Sequence, residues 1–202
     1  MTSATTTTFT SDNWFSSDEQ FHRLYPEPIQ VLARRHWTPL SITQMMAQFL
    51  TPYPGSKVLD IGSGVGKFCL AAAYYRPGSF FYGVEQRKDL ITHAEAARSR
   101  LGLQNVHFLH SNFAGLDFSA FDHFYFYNSF YENLVNTDKI DDKIPCSEVL
   151  YNRYNRQLYK KLQEMRSGTR LVTYHSMENK IPPSYYLVEA QADELLKFWI
   201  KM

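Results

Sequence analysis

The stretch Val58-Leu59-Asp60-Ile61-Gly62-Ser63-Gly64-Val65-Gly66 decides the fold of this chain: an apolar strand runs into an acidic residue and three alternating glycines, and a helix-like segment follows. Glycines at this spacing let the backbone turn tightly and bring its N–H groups close to a ligand, because a Cβ at any of them would obstruct the approach. The pattern marks a nucleotide-type cofactor site. A nicotinamide site more often reads Gly-x-Gly-x-x-Gly. Here the run is Gly-x-Gly-x-Gly with a carboxylate two residues ahead, which favours a cationic ligand over a pyrophosphate.

Outward from this stretch, strand-like and helix-like segments alternate, as parallel βαβ units require. Strands are expected over Lys57–Ile61, Phe80–Glu85, Val106–His110, 121–128 and Arg170–Tyr174. Helices are expected over 39–50, with Thr38 as N-cap and Pro39 in its first position, over Lys67–Tyr75, and over 89–101, ended by Gly102. Segment 132–145 is polar and Pro-terminated and suits a surface loop, and 147–165 is a helix stopped by Gly168. That helix carries Tyr151, Tyr154, Leu158, Leu162 and Met165 on one face, a stripe that reads as core. Segments 185–190 and 195–201 complete the pattern as an antiparallel hairpin. The expected fold is α/β: a Rossmann-like, doubly wound, mostly parallel seven-stranded sheet with an antiparallel C-terminal hairpin. Residues 1–12, rich in threonine, are expected to be a disordered tail. Residues 13–202 would form a single domain whose segment 13–50 is helical.

Composition narrows the class. Of 202 residues 44% are hydrophobic, enough for one good core. The 21 Lys and Arg nearly cancel 20 Asp and Glu, so no global basic field marks the chain as a nucleic-acid or anionic-membrane binder, although a local patch stays possible. Cys69 and Cys146 make no metal or redox motif; they suggest a reducing compartment and packing roles. The N-terminus lacks the basic and apolar regions of a signal peptide, and the longest apolar run, 68–75, falls far short of the roughly 20 residues that span a bilayer. A cytoplasmic protein with no membrane partner is expected.

Ligands of open α/β sheets lie beyond the carboxyl ends of the strands, so Asp60, Glu85, Asn112 and Asn128 should converge. Glu85 ends the second strand about twenty residues past the glycine turn, where a carboxylate accepts both hydroxyls of a ribose; the alternative is an exposed strand-end charge. Asp60 could hold a cationic amino group, or hydrogen-bond the amides of its own loop. Ser111-Asn112-Phe113 offers an amide for an adenine edge and a ring for its face, or else forms a plain turn. Asn128-Ser129-Phe130-Tyr131 could aim a nitrogen acceptor and wall off a sulfonium methyl, or form a turn with aromatics packed beneath it. His175 and Glu132 are candidates for proton removal, and His36 with Trp37 for a lid.

Val-Leu-Asp-Ile-Gly-Ser-Gly-Val-Gly and Phe81-Tyr82-Gly83-Val84-Glu85 resemble the first two motifs of class I S-adenosylmethionine-dependent methyltransferases. Within that superfamily, Asp-Ile-Gly-Ser-Gly-Val-Gly, Tyr-Gly-Val-Glu, Ser-Asn-Phe and Asn-Ser-Phe-Tyr are similar to the non-SET histone lysine methyltransferases linked to disruption of telomeric silencing. The resemblance spans about Thr38 to Tyr131. It implies S-adenosyl-L-methionine as cofactor, with Asp60, Gly62 and Gly64 around its methionine end, Ser63 and Gly66 as further cofactor-binding residues of the same loop, Glu85 on the ribose, Gln86, Asn112 and Phe113 at the adenine, and Thr38 near its carboxylate. Asn128, Phe130 and Tyr131 would line the methyl-transfer channel. N-methylation of an amine such as a protein lysine is then expected, with a small molecule or RNA as alternative acceptor. Arg35-His36-Trp37 stands where those eukaryotic enzymes carry Tyr-Gly-Glu, and no basic nucleosome-binding tail is present. A cofactor-binding protein without catalysis and a nicotinamide oxidoreductase are the rival classes, the latter opposed by the glycine spacing.

Overall fold

A computed structural model describes residues 13–134, 139–176 and 178–202. The tail expected over 1–12 lies outside the described residues, as does 135–138 within the expected loop. Seven strands form one sheet in the order β3-β2-β1-β4-β5-β7-β6. These are β1 Lys57–Ile61, β2 Phe80–Glu85, β3 Val106–His110, β4 His123–Phe126, β5 Arg170–Tyr174, β6 Tyr185–Gln191 and β7 Leu196–Lys201. The first five pair in parallel, and β7 runs antiparallel between β5 and β6.

Side-chain alternation along the strands divides the core into two layers. Val58, Phe81, Tyr125, Val172 and Phe198 face helices α4 Leu40–Leu50, α5 Lys67–Tyr75 and α6 Lys88–Leu101. Their neighbours Leu59, Phe124, Leu171 and Trp199 face α7, Glu148–Gln163. The stripe read as core behaves as one: Leu158, Leu162 and Met165 are buried, and Tyr151 and Tyr154 pack against the same layer. Three short helices precede α4: α1 Asp18–His22, α2 Glu27–Gln30 and α3 Ala33–His36.

Several boundaries differ from expectation; β6 runs one residue longer, to Gln191, and β7 starts one residue later, at Leu196. Thr38 does not cap α4; Pro39 holds the cap position, and the amide of Leu40 donates to Asp18 Oδ1 at 3.0 Å, so α1 supplies the cap. The fourth strand is cut to His123–Phe126, because Phe121 closes a short 3-10 turn and the backbone leaves the sheet at Asn128, φ 37°. Helix α6 begins one residue early. Helix α7 ends at Gln163, and Gly168 instead sits in the turn before β5, φ 82°, its N–H donating to the Lys201 carbonyl at 2.8 Å.

Candidate active site

The strand order reverses direction between β1 and β4, which flank the point where open α/β sheets bind ligands. A cavity of about 780 Å³ opens there, above the carboxyl ends of β1, β2 and β4. Its wall includes Thr38, Asp60, Gly62, Ser63, Gly64, Glu85, Gln86, Phe113, Asn128, Phe130 and Tyr131, so eleven expected site residues, scattered over ninety positions of sequence, share one cleft.

Glycine is required at Gly62 for two reasons. Its φ of 79° is left-handed, and a Cβ there would overlap Cβ and Oγ of Ser129, which donates to the Ile61 carbonyl at 2.6 Å. The turn after β4 therefore rests directly on the glycine loop. Gly64 also has positive φ, 54°, yet a Cβ there meets nothing within 4 Å.

Glu85 is buried at the end of β2. Its Oε1 accepts the N–H groups of Gln86 at 2.8 Å and Arg87 at 2.9 Å, and its Oε2 that of Gly64 at 3.2 Å. Burial nonetheless raises its pKa, against those bonds and the nearby Arg87 guanidinium. Oε2 keeps lone pairs for a further donor. Asp60 is more starved: 3% exposed, it receives one hydrogen bond among the described residues, from Cys69 Sγ at 3.5 Å. Burial, with the Glu85 carboxylate adding to it, pushes its pKa up to about 8. Ser63 Oγ is buried with no hydrogen-bond partner among the described residues. A carboxyl lacking a cation, an idle hydroxyl and open space over Gly64 are what a ligand carrying an ammonium and ribose hydroxyls would satisfy.

Two expected site residues lie off the cavity wall. Gly66 takes the left-handed cap position before α5, φ 80°, and a Cβ there would strike the Phe108 ring, so it serves helix-on-sheet packing. The amide of Asn112 is spent within the protein: Oδ1 accepts from the Ala114 N–H at 2.9 Å, and Nδ2 donates to Gln86 Oε1 at 2.8 Å and Tyr154 Oη at 2.9 Å. It holds Gln86 at the edge of the cleft. Thr38, near the cleft's other end, shares a 2.7 Å hydrogen bond with Tyr125 Oη.

The wall of the cleft beside the β4 turn is aromatic. Phe130 stacks on Phe113 with ring centroids 4.9 Å apart, while Tyr127 and Tyr174 pack at 4.8 Å and His175 adds a ring 4.3 Å from Tyr174. Burial keeps the His175 pKa below its ordinary value, so the ring is neutral. Asn128, in the left-handed turn after β4, lines the same cleft, and its amide makes no hydrogen bond to a described residue. Glu132 is not an available base. Arg87, buried, grips it through both nitrogens, Nη1 at 3.0 Å and Nη2 at 2.7 Å, and reaches Asp141 Oδ1 at 3.0 Å through Nε.

Sequence reasoning misses this Arg87 clamp, although a cation two residues past Glu85 was a usable signal. It also misses the N-terminal cover. Lys67, the one charge in otherwise apolar α5, is 3% exposed and pairs with Asp18. Its ammonium approaches His22 Nε2 at 3.3 Å, and lies 5.7 and 5.8 Å from the rings of Phe21 and Trp37. Tyr25 Oη donates to the Val65 carbonyl at 3.0 Å, fastening the same segment over the glycine loop.

Residues 53–183 match a family model described as a methyltransferase domain. A tRNA (guanine-N(7)-)-methyltransferase of Synechococcus sp. (strain JA-3-3Ab) is 54% identical over 54 residues, 27% of this chain and 23% of that one. The enzyme of the same description from Nostoc sp. (strain PCC 7120 / SAG 25.82 / UTEX 2576) is 36% identical over 84 residues, 42% and 38% of the two chains. The chain thus aligns with well under half the length of these curated relatives. Among solved structures, an RNA methyltransferase from Salinibacter ruber in complex with S-adenosyl-L-homocysteine superposes with a TM-score of 0.58 at 20% identity, covering 82% of this chain and 93% of that one, a likeness of fold.

Proposed function

We propose that this chain, which belongs to the class I S-adenosylmethionine-dependent methyltransferase family, methylates a ring nitrogen of an RNA base. Convergence of Asp60, Glu85 and open Gly64 with Asn128, Phe130 and Tyr131 in one cleft carries the proposal, since a cationic cofactor held at the first three would lie beside an acceptor walled by the aromatics. Bound S-adenosyl-L-methionine would supply an electrophilic sulfonium methyl; the C–S bond breaks as the C–N bond forms, leaving a neutral thioether and passing the positive charge to the acceptor. Asp60 would hold the ammonium, Glu85 the ribose hydroxyls, and Phe113 and Gln86 the adenine. Asn128 would orient the acceptor while Phe130 and Tyr131 exclude water.

The acid–base inventory separates acceptors. A lysine, pKa about 10.4 in water, must lose a proton before it attacks. Three carboxylates of the cleft are committed within the protein, Asp18 to Lys67, Glu132 to Arg87 and Glu85 to backbone N–H groups, and the fourth, Asp60, would be taken by the cofactor's ammonium. A purine ring nitrogen such as guanine N7 carries a free lone pair and needs no base. The names of the curated relatives point the same way. A protein lysine, implied by the resemblance to the non-SET enzymes, is the second reading, for which neutral His175 would serve as base.

Label transfer from radioactive S-adenosylmethionine into host lysate, separated into RNA, protein and small molecules, tests the assignment. Label in RNA is expected. Label confined to protein would replace the base by the lysine.

A further inference from the structure

A second cavity of about 480 Å³ lies against the outer face of α7. Asn152, Arg156 and Tyr159 line it from the helix, at spacings that put them on one stripe flanking the buried one, and Asn179 and Lys180 line it from the 3-10 turn Glu178–Lys180. Although the whole chain carries only one net positive charge, α7 holds Arg153, Arg156, Lys160 and Lys161 against a single Glu148. Two of these cations are engaged: Lys160 faces Glu164 at 4.0 Å, and Lys161 donates to the Leu116 carbonyl at 2.6 Å. Among the described residues Arg153, Arg156 and Lys180 meet no carboxylate. Among the described residues the local charge therefore has no internal counterpart.

Position adds a second constraint. Tyr151 belongs to the wall of the cofactor cleft, and Lys180 Nζ, on the wall of the second cavity, lies 5.7 Å from the centre of its ring, so the two walls meet at this pair. We propose that the second cavity docks the sugar-phosphate backbone of the RNA strand whose base enters the cofactor cleft, a proposal that rests on the RNA reading above. Arg156 presents a donor fork matched to phosphate oxygens, and Lys180 is a point charge beside it. Asn152 and Asn179 add amide donors, and Tyr159, 36% exposed, gives a flanking base a ring to stack on. An acidic peptide would answer the cations and leave that ring unused.

The double variant Arg156→Gln/Lys180→Gln tests this, with bulk host tRNA as probe and binding read by fluorescence anisotropy at several salt concentrations. Each lost phosphate contact removes about 0.7–0.9 from the slope of log affinity against log salt, so the double variant should lower that slope by about 1.4–1.8. Its tRNA affinity should fall about tenfold at moderate salt, and cofactor binding should stay that of the parent protein. Arg156→Lys, which keeps the charge, should retain the parent slope. An unchanged slope in the double variant while label still enters RNA would overturn the docking site and leave the RNA reading standing. Competition by polyglutamate as effective as by tRNA would replace the strand by an acidic protein. No tRNA binding by the parent protein, with label in protein alone, would overturn both.

Discussion

Asp60 shows how one residue can couple ligand charge to pH. With its pKa near 8 and an ordinary value of 3.8, the folded chain holds a proton that the unfolded chain gives up. Folding is thus proton-linked between these values: the contribution of Asp60 to stability is fully present below about 4, falls as pH rises, and is lost above about 8. Asp60→Asn should flatten that dependence in thermal melts from pH 5 to pH 9. A cationic ammonium placed against the carboxylate reverses the preference and expels the proton, so cofactor affinity should rise up to tenfold per pH unit through the neutral range. It should decline again where the ligand's own amino group, of pKa about 7.7–8.0, loses its charge. Calorimetry in buffers of different ionisation enthalpy reads the released proton directly. Glu85 acts by acceptance alone. Glu85→Ala should weaken cofactor binding by roughly 1–3 kcal/mol, and unchanged affinity would sink the ribose assignment.

At the scale of elements, two turns contest the same space. Because Ser129 fills the volume over Gly62, Gly62→Ala forces the β4 turn off the glycine loop and should destabilise the fold along with cofactor binding. Gly64→Ala meets no neighbour and costs only its left-handed backbone, about 1 kcal/mol, so its loss should fall on cofactor affinity, with a melting temperature near that of the parent. The contrast between the pair is the measurement. Arg87 joins the same turn to β2: its guanidinium holds Glu132 and Asp141 while its backbone N–H serves Glu85. Arg87→Ala strands a buried carboxylate, at a cost of about 3–5 kcal/mol. Arg87→Lys loses the two-pronged grip. Both should speed proteolysis between residues 132 and 146, and the acceptor KM should rise more than the cofactor Kd.

Across the whole molecule, what was legible in the sequence follows the range of the forces involved. Strands β1, β2, β3 and β5 and helix α5 agree residue for residue with expectation, because local hydrophobic period and glycine or turn punctuation set their ends. Tertiary partners set the ends of β4 and α4, which pattern could not reveal: Asn128 turns to serve the cleft, and Asp18 takes the cap that Thr38 would have filled. Convergence at the strand ends was legible from topology alone, whereas the commitment of Asn112 and Glu132 to protein partners depends on Tyr154 and Arg87. The N-terminal cover belongs to the unreadable part, since nothing in 13–37 announces that Asp18 will meet Lys67 forty-nine residues away. It yields a molecule-wide expectation. Asp18 holds α1 against both α5, through Lys67, and α4, through the Leu40 amide. Asp18→Ala leaves a buried ammonium with only His22 and two aromatic faces, and a helix without its cap, so the chain should lose about 3 kcal/mol or more of stability. The cover also closes the glycine loop through Tyr25, so cofactor affinity should fall in the same variant. Since a ligand that binds only the folded state stabilises it by mass action, saturating cofactor should recover part of the lost melting temperature. A variant that melts lower yet binds cofactor as the parent does would show that the cover stabilises the fold without forming part of the site.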